Sequence, residues 1–277
     1  MKLNCPVCNL GLTDTLSCEN EHHFHKEDGV IKLMLPTFEK MLSEWLVSFE
    51  DFRSPHLKKL DFNRLPESGV LIDKHIWNAR IEDIKIIDEN IDASYQTALE
   101  IGSWNGWLAN HLTTKGLNVT AIDYFIHELD GMKAKKHYSA PNWTSIQMDL
   151  ENLSVFNGQF DLIILNRCLA YFTNPLKYLL NIQKLVKPDG KIIITGLNVK
   201  NHQKVELEFI KLSQNFKKCY NKELQFKPSK NYIDFNDLDE FKKVGVKIKR
   251  YPGFKNTINS ILFKDKNVPY FGVYKKK

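Results

Sequence analysis

The sequence predicts an α/β chain: a doubly wound, mostly parallel sheet preceded by a small cysteine-bearing module. Three observations carry that prediction. Residues 97–123, TALEIGSWNGWLANHLTTKGLNVTAID, read as a buried strand, a glycine-containing turn, a helix and a second strand ending on an acid. Further segments at 144–153, 158–175 and 184–196 follow in order, with apolar runs such as Leu162–Leu165 and Ile192–Ile194. Ahead of them, Cys5, Cys8, Cys18 and His22 stand in the pattern C-x2-C-x9-C-x3-H.

The amino-terminal pattern is a knuckle followed by a second ligand pair. Thiolate and imidazole donors in a closed set of four suit tetrahedral Zn²⁺ in a structural site. His23 and His25 compete with His22 for the fourth position. A disulfide framework fits poorly, because no charged-then-apolar signal segment precedes the cysteines. The expected compartment is therefore the cytoplasm. Gly29 and the run Val30–Leu33 close this module, predicted as residues 1–33.

Residues 34–95 are predicted as a helical linker or cap. Pro36 suits a helix start, and Phe38, Met41, Leu42, Trp45, Leu46 and Phe49 form one stripe. Pro55 and the stretch 66–69 punctuate the chain after that helix. A second helix is expected over Trp77–Asn90, with Ile81, Ile84, Ile87 and Ile91 facing inward. Core packing is the expected use of these faces, ahead of a cap over substrate.

In the stretch 97–123, Gly102 and Gly106 let the backbone bend and approach a ligand. Trp107–Leu112 opens a helix whose N-terminal N–H groups face the same crevice. Asp123, 21 positions after Gly102, is placed to accept ribose hydroxyls. The unit therefore points to a nucleoside. The glycine spacing is G-x-x-x-G rather than G-x-G-x-x-G, which argues against a nicotinamide dinucleotide.

The ordered series of TALEIGSWNG, TSIQMDLENL (144–153), GQFDLIILNRCLAYFTNP (158–175) and KLVKPDGKIIITG (184–196) resembles the class I S-adenosylmethionine-dependent methyltransferases. The resemblance covers roughly residues 95–200. It implies a Rossmann-like, seven-stranded sheet in a domain spanning 96–277, completed by an antiparallel pair at 246–251 and 270–274. It also implies S-adenosyl-L-methionine as cofactor. In that family the acid opening the glycine loop sits near the methionine part, matching Glu100, with Gly102, Ser103, Trp104 and Gly106 in the loop. The ribose acid lands on Asp123, with Tyr124 beside the adenine. The acid that meets the adenine amino group lands on Asp149, with Leu150 packing nearby. Asn166 ends the strand where methyl donor and acceptor meet. The family usually has a third glycine between the two here; this chain has Trp104. The amino-terminal module resembles the zinc ribbon fused ahead of some methyltransferases, including bacterial ribosomal RNA guanine methyltransferases. The further motif of those enzymes is absent from this sequence.

The expected function is methyl transfer to an acceptor, a small molecule ahead of RNA. The RNA alternative rests on charge: from Lys200 onward there are 19 basic and 8 acidic residues, net +11, against −5 for residues 1–199. Only five of the 39 basic residues are Arg, however, and Lys and Asn abound throughout, as in a compositional habit. A second alternative, an inactive scaffold for a partner protein, rests on Trp104 blocking the loop. No run of 18 apolar residues exists to span a membrane. No catalytic base is assigned: relatives acting on small molecules commonly have His where Ala170 stands, and His75, His111, His127, His137 and His202 have no sequence partner. Asn166 and Tyr171 remain as orienting groups; Arg167 reads as a structural ion pair and Cys168 as packing.

Overall fold

A computed structural model describes residues 2–199, 202–252 and 268–277. In chain order the strands are β1 (Lys2–Leu3), β2 (His25–Glu27), β3 (Val30–Leu33), β4 (Thr97–Ile101), β5 (Asn118–Asp123), β6 (Trp143–Met148), β7 (Phe156–Asn157), β8 (Phe160–Asn166), β9 (Val186–Val199), β10 (Lys247–Arg250) and β11 (Val268–Lys275). The helices are α1 (Pro36–Arg53), α2 (Lys74–Asp88), α3 (Trp107–Thr114), α4 (Pro175–Gln183), α5 (His202–Tyr220) and α6 (Phe235–Lys243).

The main sheet has the order β10-β11-β9-β8-β4-β5-β6-β3-β2. Seven of these strands are those expected, five of them parallel, with β11 antiparallel to both β9 and β10. The other two come from the cysteine-bearing module. Its β2–β3 hairpin extends the sheet, β3 pairing parallel with β6 from Val30↔Ser145 to Leu33↔Met148. A separate two-stranded sheet joins β1 to β7.

Both faces of the central strands are covered, which is why they read as nearly continuous apolar runs. Leu99, Ile101, Ile122, Ile163 and Leu165 pack on one face with Tyr178, Leu179 and Ile182 of α4 and Leu238 and Phe241 of α6. Ala98, Val119, Ala121, Leu162 and Ile164 pack on the other with Trp77 and Ile87 of α2 and Leu108, Ala109 and Leu112 of α3. From β4 the chain winds outward to β5 and β6, then crosses to β8 and β9 on the other side. The crevice at the carboxyl ends of β4 and β8 is the topological switch point, where open α/β sheets bind ligands.

Three expectations shift in detail. In α2 the buried positions are Trp77, Asp83, Ile86 and Ile87, while Ile81, Ile84 and Ile91 are only partly buried. The stripe turns because Asp83, a charged residue, is drawn into the interior by Arg167 and Asn166. Helix α1 does bury Phe38, Leu42, Trp45 and Leu46, but against Tyr124, Phe125 and Phe226, so its core roofs the switch point. The spacing of Val205, Leu207, Phe209, Ile210, Leu212 and Phe216 predicts a helix over 201–220; α5 forms, yet Leu207, Ile210 and Leu212 are exposed and Phe216 is buried. The expected start of that helix at Asn201 and the side chain of Val205 lie outside the described residues. At α6, Asp234 is the cap, in a reciprocal box with Asp237. Among the described residues, no helix is long and apolar enough to cross a membrane.

Candidate functional site

A cavity of about 990 Å³ opens at the carboxyl ends of the central strands. Its floor is the turn after β4. Gly102 has φ +73°, and a Cβ there would stand 2.9 Å from Cβ of Cys168, so two loops meet at a distance only glycine allows. Gly106 (φ +81°) begins α3, and a Cβ there would lie 2.7 Å from the Trp143 ring. Between them Trp104 adopts φ +52°, a left-handed backbone that costs a non-glycine residue about 1–2 kcal/mol. Its N–H donates to Asp123 Oδ2 at 2.6 Å, and its indole Nε1 donates to Asp130. The indole lies 5.7 Å from the Trp77 ring, in the cavity wall.

Asp123, at the tip of β5, is nearly fully buried and lines the cavity. Besides Trp104, it accepts the N–H groups of Tyr124 (2.6 Å) and Phe125 (3.1 Å) on Oδ1. A carboxylate offers about four lone-pair sites, so room for about one further donor remains. Burial pushes its pKa up to about 6, although the three N–H groups pull the other way. Glu100 is different. It points under the first turn of α3, accepts the N–H of Ala109, and its Oε2 has no partner. Burial and the neighbouring Asp123 hold its pKa well above the usual carboxylate range.

Asp149 follows β6. Its Oδ1 accepts from the Glu151 N–H (3.0 Å), the Tyr124 hydroxyl (3.4 Å) and Lys227 Nζ (2.6 Å). Of the residues expected at a cofactor, Gly102, Trp104, Asp123, Tyr124, Leu150 and Asn166 line the cavity. Glu100, Ser103 and Gly106 do not line it, and Asp149 adjoins it through its neighbours Leu150 and Glu151, which do.

Two arginines separate in role. Arg167 donates to Asp83 from Nε (2.5 Å) and Nη2 (3.1 Å). Asp83, fully buried, also accepts from Asn166 (3.0 Å) and from the Tyr251 hydroxyl, which in turn accepts the N–H of Gly196 (2.8 Å). This network ties α2, the end of β8 and the bend in β9 into one unit, and bears out the ion-pair reading of Arg167. Arg80, three residues before Asp83, has no carboxylate partner among the described residues. Its guanidinium lies against both rings of the Trp77–Trp104 pair, 4.8 Å from Trp104 and 5.0 Å from Trp77; Nη1 reaches only the carbonyl of Ile76, and Nε is buried without a partner. Burial and the nearby positive Arg167 lower its pKa to about 10. Sequence reasoning passed over Arg80 and Lys227. The signal for Arg80 was its i+3 spacing from Trp77; for Lys227 there was none.

Cys168 donates to the Ile101 carbonyl at 3.1 Å, and burial beside Asp123 and Glu100 drives its thiol pKa up, leaving it a packing group. Among the described residues lining the cavity there is no histidine. Thirteen of the lining residues are aromatic, including Trp45, Phe49 and Phe52 of α1, Tyr171 and Phe209.

The amino-terminal ligand set also comes together. Ligand atoms of Cys5, Cys8, Cys18 and His22 lie within 4.8 Å of one another. Edges of 3.6 Å (Cys8–Cys18), 3.6 Å (Cys5–His22 Nδ1) and 3.3 Å (Cys18–His22 Nδ1) approach those of a tetrahedron with metal–sulfur bonds of about 2.3 Å. His23 turns instead to Ser17 (2.8 Å), and His25 is on β2.

Comparison with known proteins agrees with this geometry. A family model described as a methyltransferase domain matches residues 75–225, more than half of the chain. A "Ubiquinone biosynthesis O-methyltransferase" from Rickettsia bellii is 29% identical over 172 residues, 61% of this chain and 64% of that protein. A "Malonyl-[acyl-carrier protein] O-methyltransferase" from Haemophilus ducreyi is 29% identical over 128 residues, 44% of this chain and 48% of that protein. The chain thus spans less than two thirds of the length of these curated relatives. The magnesium protoporphyrin IX methyltransferase of Synechocystis PCC 6803, solved with bound SAH, shares the fold at a TM-score of 0.50 and 11% identity, covering 86% of this chain and 100% of that one. The chain belongs to the methyltransferase domain family, with the doubly wound sheet of the class I S-adenosylmethionine-dependent methyltransferases.

Proposed function

We propose that the protein transfers a methyl group from S-adenosyl-L-methionine to a small, largely apolar acceptor bound in the aromatic part of the cavity. One observation carries the reading: a glycine turn, a buried carboxylate and a guanidinium with no carboxylate partner among the described residues meet in one cavity at the switch point of the sheet. The residues fit the cofactor. Arg80 has free donors for the carboxylate of its amino-acid end, Asp123 has room for about one ribose hydroxyl, and Tyr124 and Leu150 flank the base. Bound there, the cofactor supplies an electrophilic methyl on a sulfonium.

The chain's contribution is positioning. The Asp83 network holds Asn166 and Arg167 at the end of β8, and α1 closes the cavity against water. Holding acceptor and methyl in line supplies on the order of 7–11 kcal/mol of the barrier. With no histidine among the lining residues described, the acceptor is one that brings its own nucleophilicity, such as an acidic hydroxyl or a carboxylate. The names of the two curated relatives, both O-methyltransferases, support an oxygen acceptor. A cavity at the upper end of the range of about 300–1,000 Å³ typical for ligand sites supports room for donor and acceptor together.

Cys5, Cys8, Cys18 and His22 are proposed to hold one structural Zn²⁺, with no open coordination position for chemistry. Calorimetric titration with S-adenosylhomocysteine tests the cofactor reading; absence of binding at millimolar ligand rejects it.

The titration should depend on pH through Asp123. Its carboxylate form accepts the ribose hydroxyl, so affinity is expected to fall below pH 6, approaching about tenfold per unit. Stability moves the opposite way. A carboxyl whose folded pKa is raised to about 6 contributes stability that is present at low pH and lost as pH rises through that value. Asp123→Asn should flatten the affinity profile between pH 5 and 7.5. A profile unchanged by that substitution assigns the titration elsewhere.

A further inference from the structure

Resting on the cofactor reading, we propose that Lys227 is a positioning residue for the base of the cofactor. It holds Asp149 in the orientation that accepts the amino group of adenine.

The segment carrying Lys227 is strapped to the roof helix. Lys222 donates to Ser48 Oγ at 2.9 Å, and the indole of Trp45 donates to the carbonyl of Glu223 at 3.0 Å. Phe226 then packs edge-on against both Phe38 (5.3 Å) and Tyr124 (5.8 Å), with Trp45 at 5.6 Å. This fixes the place from which the next side chain departs. Lys227 Nζ lies over the Phe38 ring at 5.4 Å and reaches both acids after β6, Asp149 at 2.6 Å and Glu151 at 3.2 Å.

The distribution of donors on Asp149 gives the contact its meaning. Lys227, the Tyr124 hydroxyl and the Glu151 N–H all fall on Oδ1. Among the described residues, no donor is assigned to Oδ2. Three donors on one oxygen fix the carboxylate plane and leave the second oxygen as an acceptor. An exocyclic amino group donates to such an oxygen, whereas a 6-oxo group would set oxygen against oxygen. Lys227, Phe226, Tyr124 and Leu150 all line the cavity, so the strap and the base-recognising residues share one wall.

The test is calorimetry of the full chain with two ligands, S-adenosylhomocysteine and S-inosylhomocysteine, on wild type, Lys227→Met and Lys227→Arg, with a thermal melt of each. Wild type is expected to prefer the adenosyl ligand. Lys227→Met should weaken that ligand by about tenfold, the scale of one charge-assisted contact, and change the inosyl ligand less, so that the preference narrows. Lys227→Arg should restore most of the preference. Unchanged or tighter adenosyl binding by Lys227→Met overturns the proposal, since Lys227 would then be a bystander or a competitor for Asp149. An equal loss for both ligands also overturns it. Should Lys227→Met fail to fold, Lys227→Gln is measured in its place. Wild type that binds neither ligand overturns the cofactor reading itself, an outcome distinct from the others.

Discussion

Stripping the metal from the cysteine cluster is expected to lower the melting temperature of the whole chain by about 10 °C or more, the equivalent of several kcal/mol. A small module joined by a linker would lose its own fold and leave the larger domain untouched. Here the module is sewn into the sheet on both sides of the loop that carries Asp149. Leu33 of β3 pairs with Met148, the residue before Asp149, while Leu3 of β1 pairs with Phe156 beyond it. Asn4 adds bonds to the carbonyls of Val155 (2.8 Å) and Ser154 (3.1 Å). Leu3 and Leu33 belong to the same apolar core as Leu150, Leu153 and Val155. Without metal, Cys5 and Cys18 leave thiols in the interior and the hairpin loses its anchor. Elemental analysis should therefore find one zinc per chain. Chelation under reducing conditions should shift a single melting transition and weaken S-adenosylhomocysteine in parallel, and Cys8→Ser should do the same. Two independent transitions, or a melt indifferent to chelator, would show that the module is energetically separate from the sheet.

That coupling was not legible in the sequence, and the reason is physical. The β4–turn–α3–β5 unit announces itself because its contacts are local: glycines where the chain must bend, an apolar strand, an acid at the strand tip. The cluster of Cys5, Cys8, Cys18 and His22 is legible for the same reason, since its members lie close together in the chain. The pairing of Val30–Leu33 with Ser145–Met148 joins segments more than a hundred positions apart. A parallel pair is set by burial on both faces, not by any motif. The inward face of α2 is a related case. Periodicity favours the isoleucines, but Asp83 turns the helix because a buried carboxylate with Arg167, Asn166 and Tyr251 as partners is fully paired. Gly102, Asp123 and Tyr124, which line the cavity, were readable as candidates from their places at strand ends. Arg80 and Lys227 were not, since each acquires its significance from which partner it has, or lacks, in three dimensions.

Arg80 supplies the sharpest contrast between folding and binding. Arg80→Leu is expected to weaken S-adenosylhomocysteine by about 10- to 150-fold, the scale of losing hydrogen bonds to a charged group worth about 1.5–3 kcal/mol. Its melting temperature should stay level or rise. The two signs follow from one geometry. A guanidinium lying against Trp77 and Trp104, with Nε unpartnered, no carboxylate in contact and another arginine nearby, is a buried charge that Asp83 and Asp73 offset only in part. The depressed pKa of about 10 expresses the same tension. Leucine removes that cost and keeps an apolar contact with the two indoles, although it forfeits the cation–π attraction. A ligand carboxylate would pair the charge, so binding alone should register the loss. 5′-Methylthioadenosine, which lacks the amino-acid end, is the control: Arg80→Leu should leave its affinity within about twofold. Arg80→Lys should recover only part of the binding, because an ammonium restores the charge without the planar fork held against two rings. Equal weakening of both ligands would mean that Arg80 shapes the cavity rather than reading a carboxylate. A fall in melting temperature matching the lost affinity would mean the same, because the wall built by Trp77 and Trp104 would then depend on the guanidinium for its own stability.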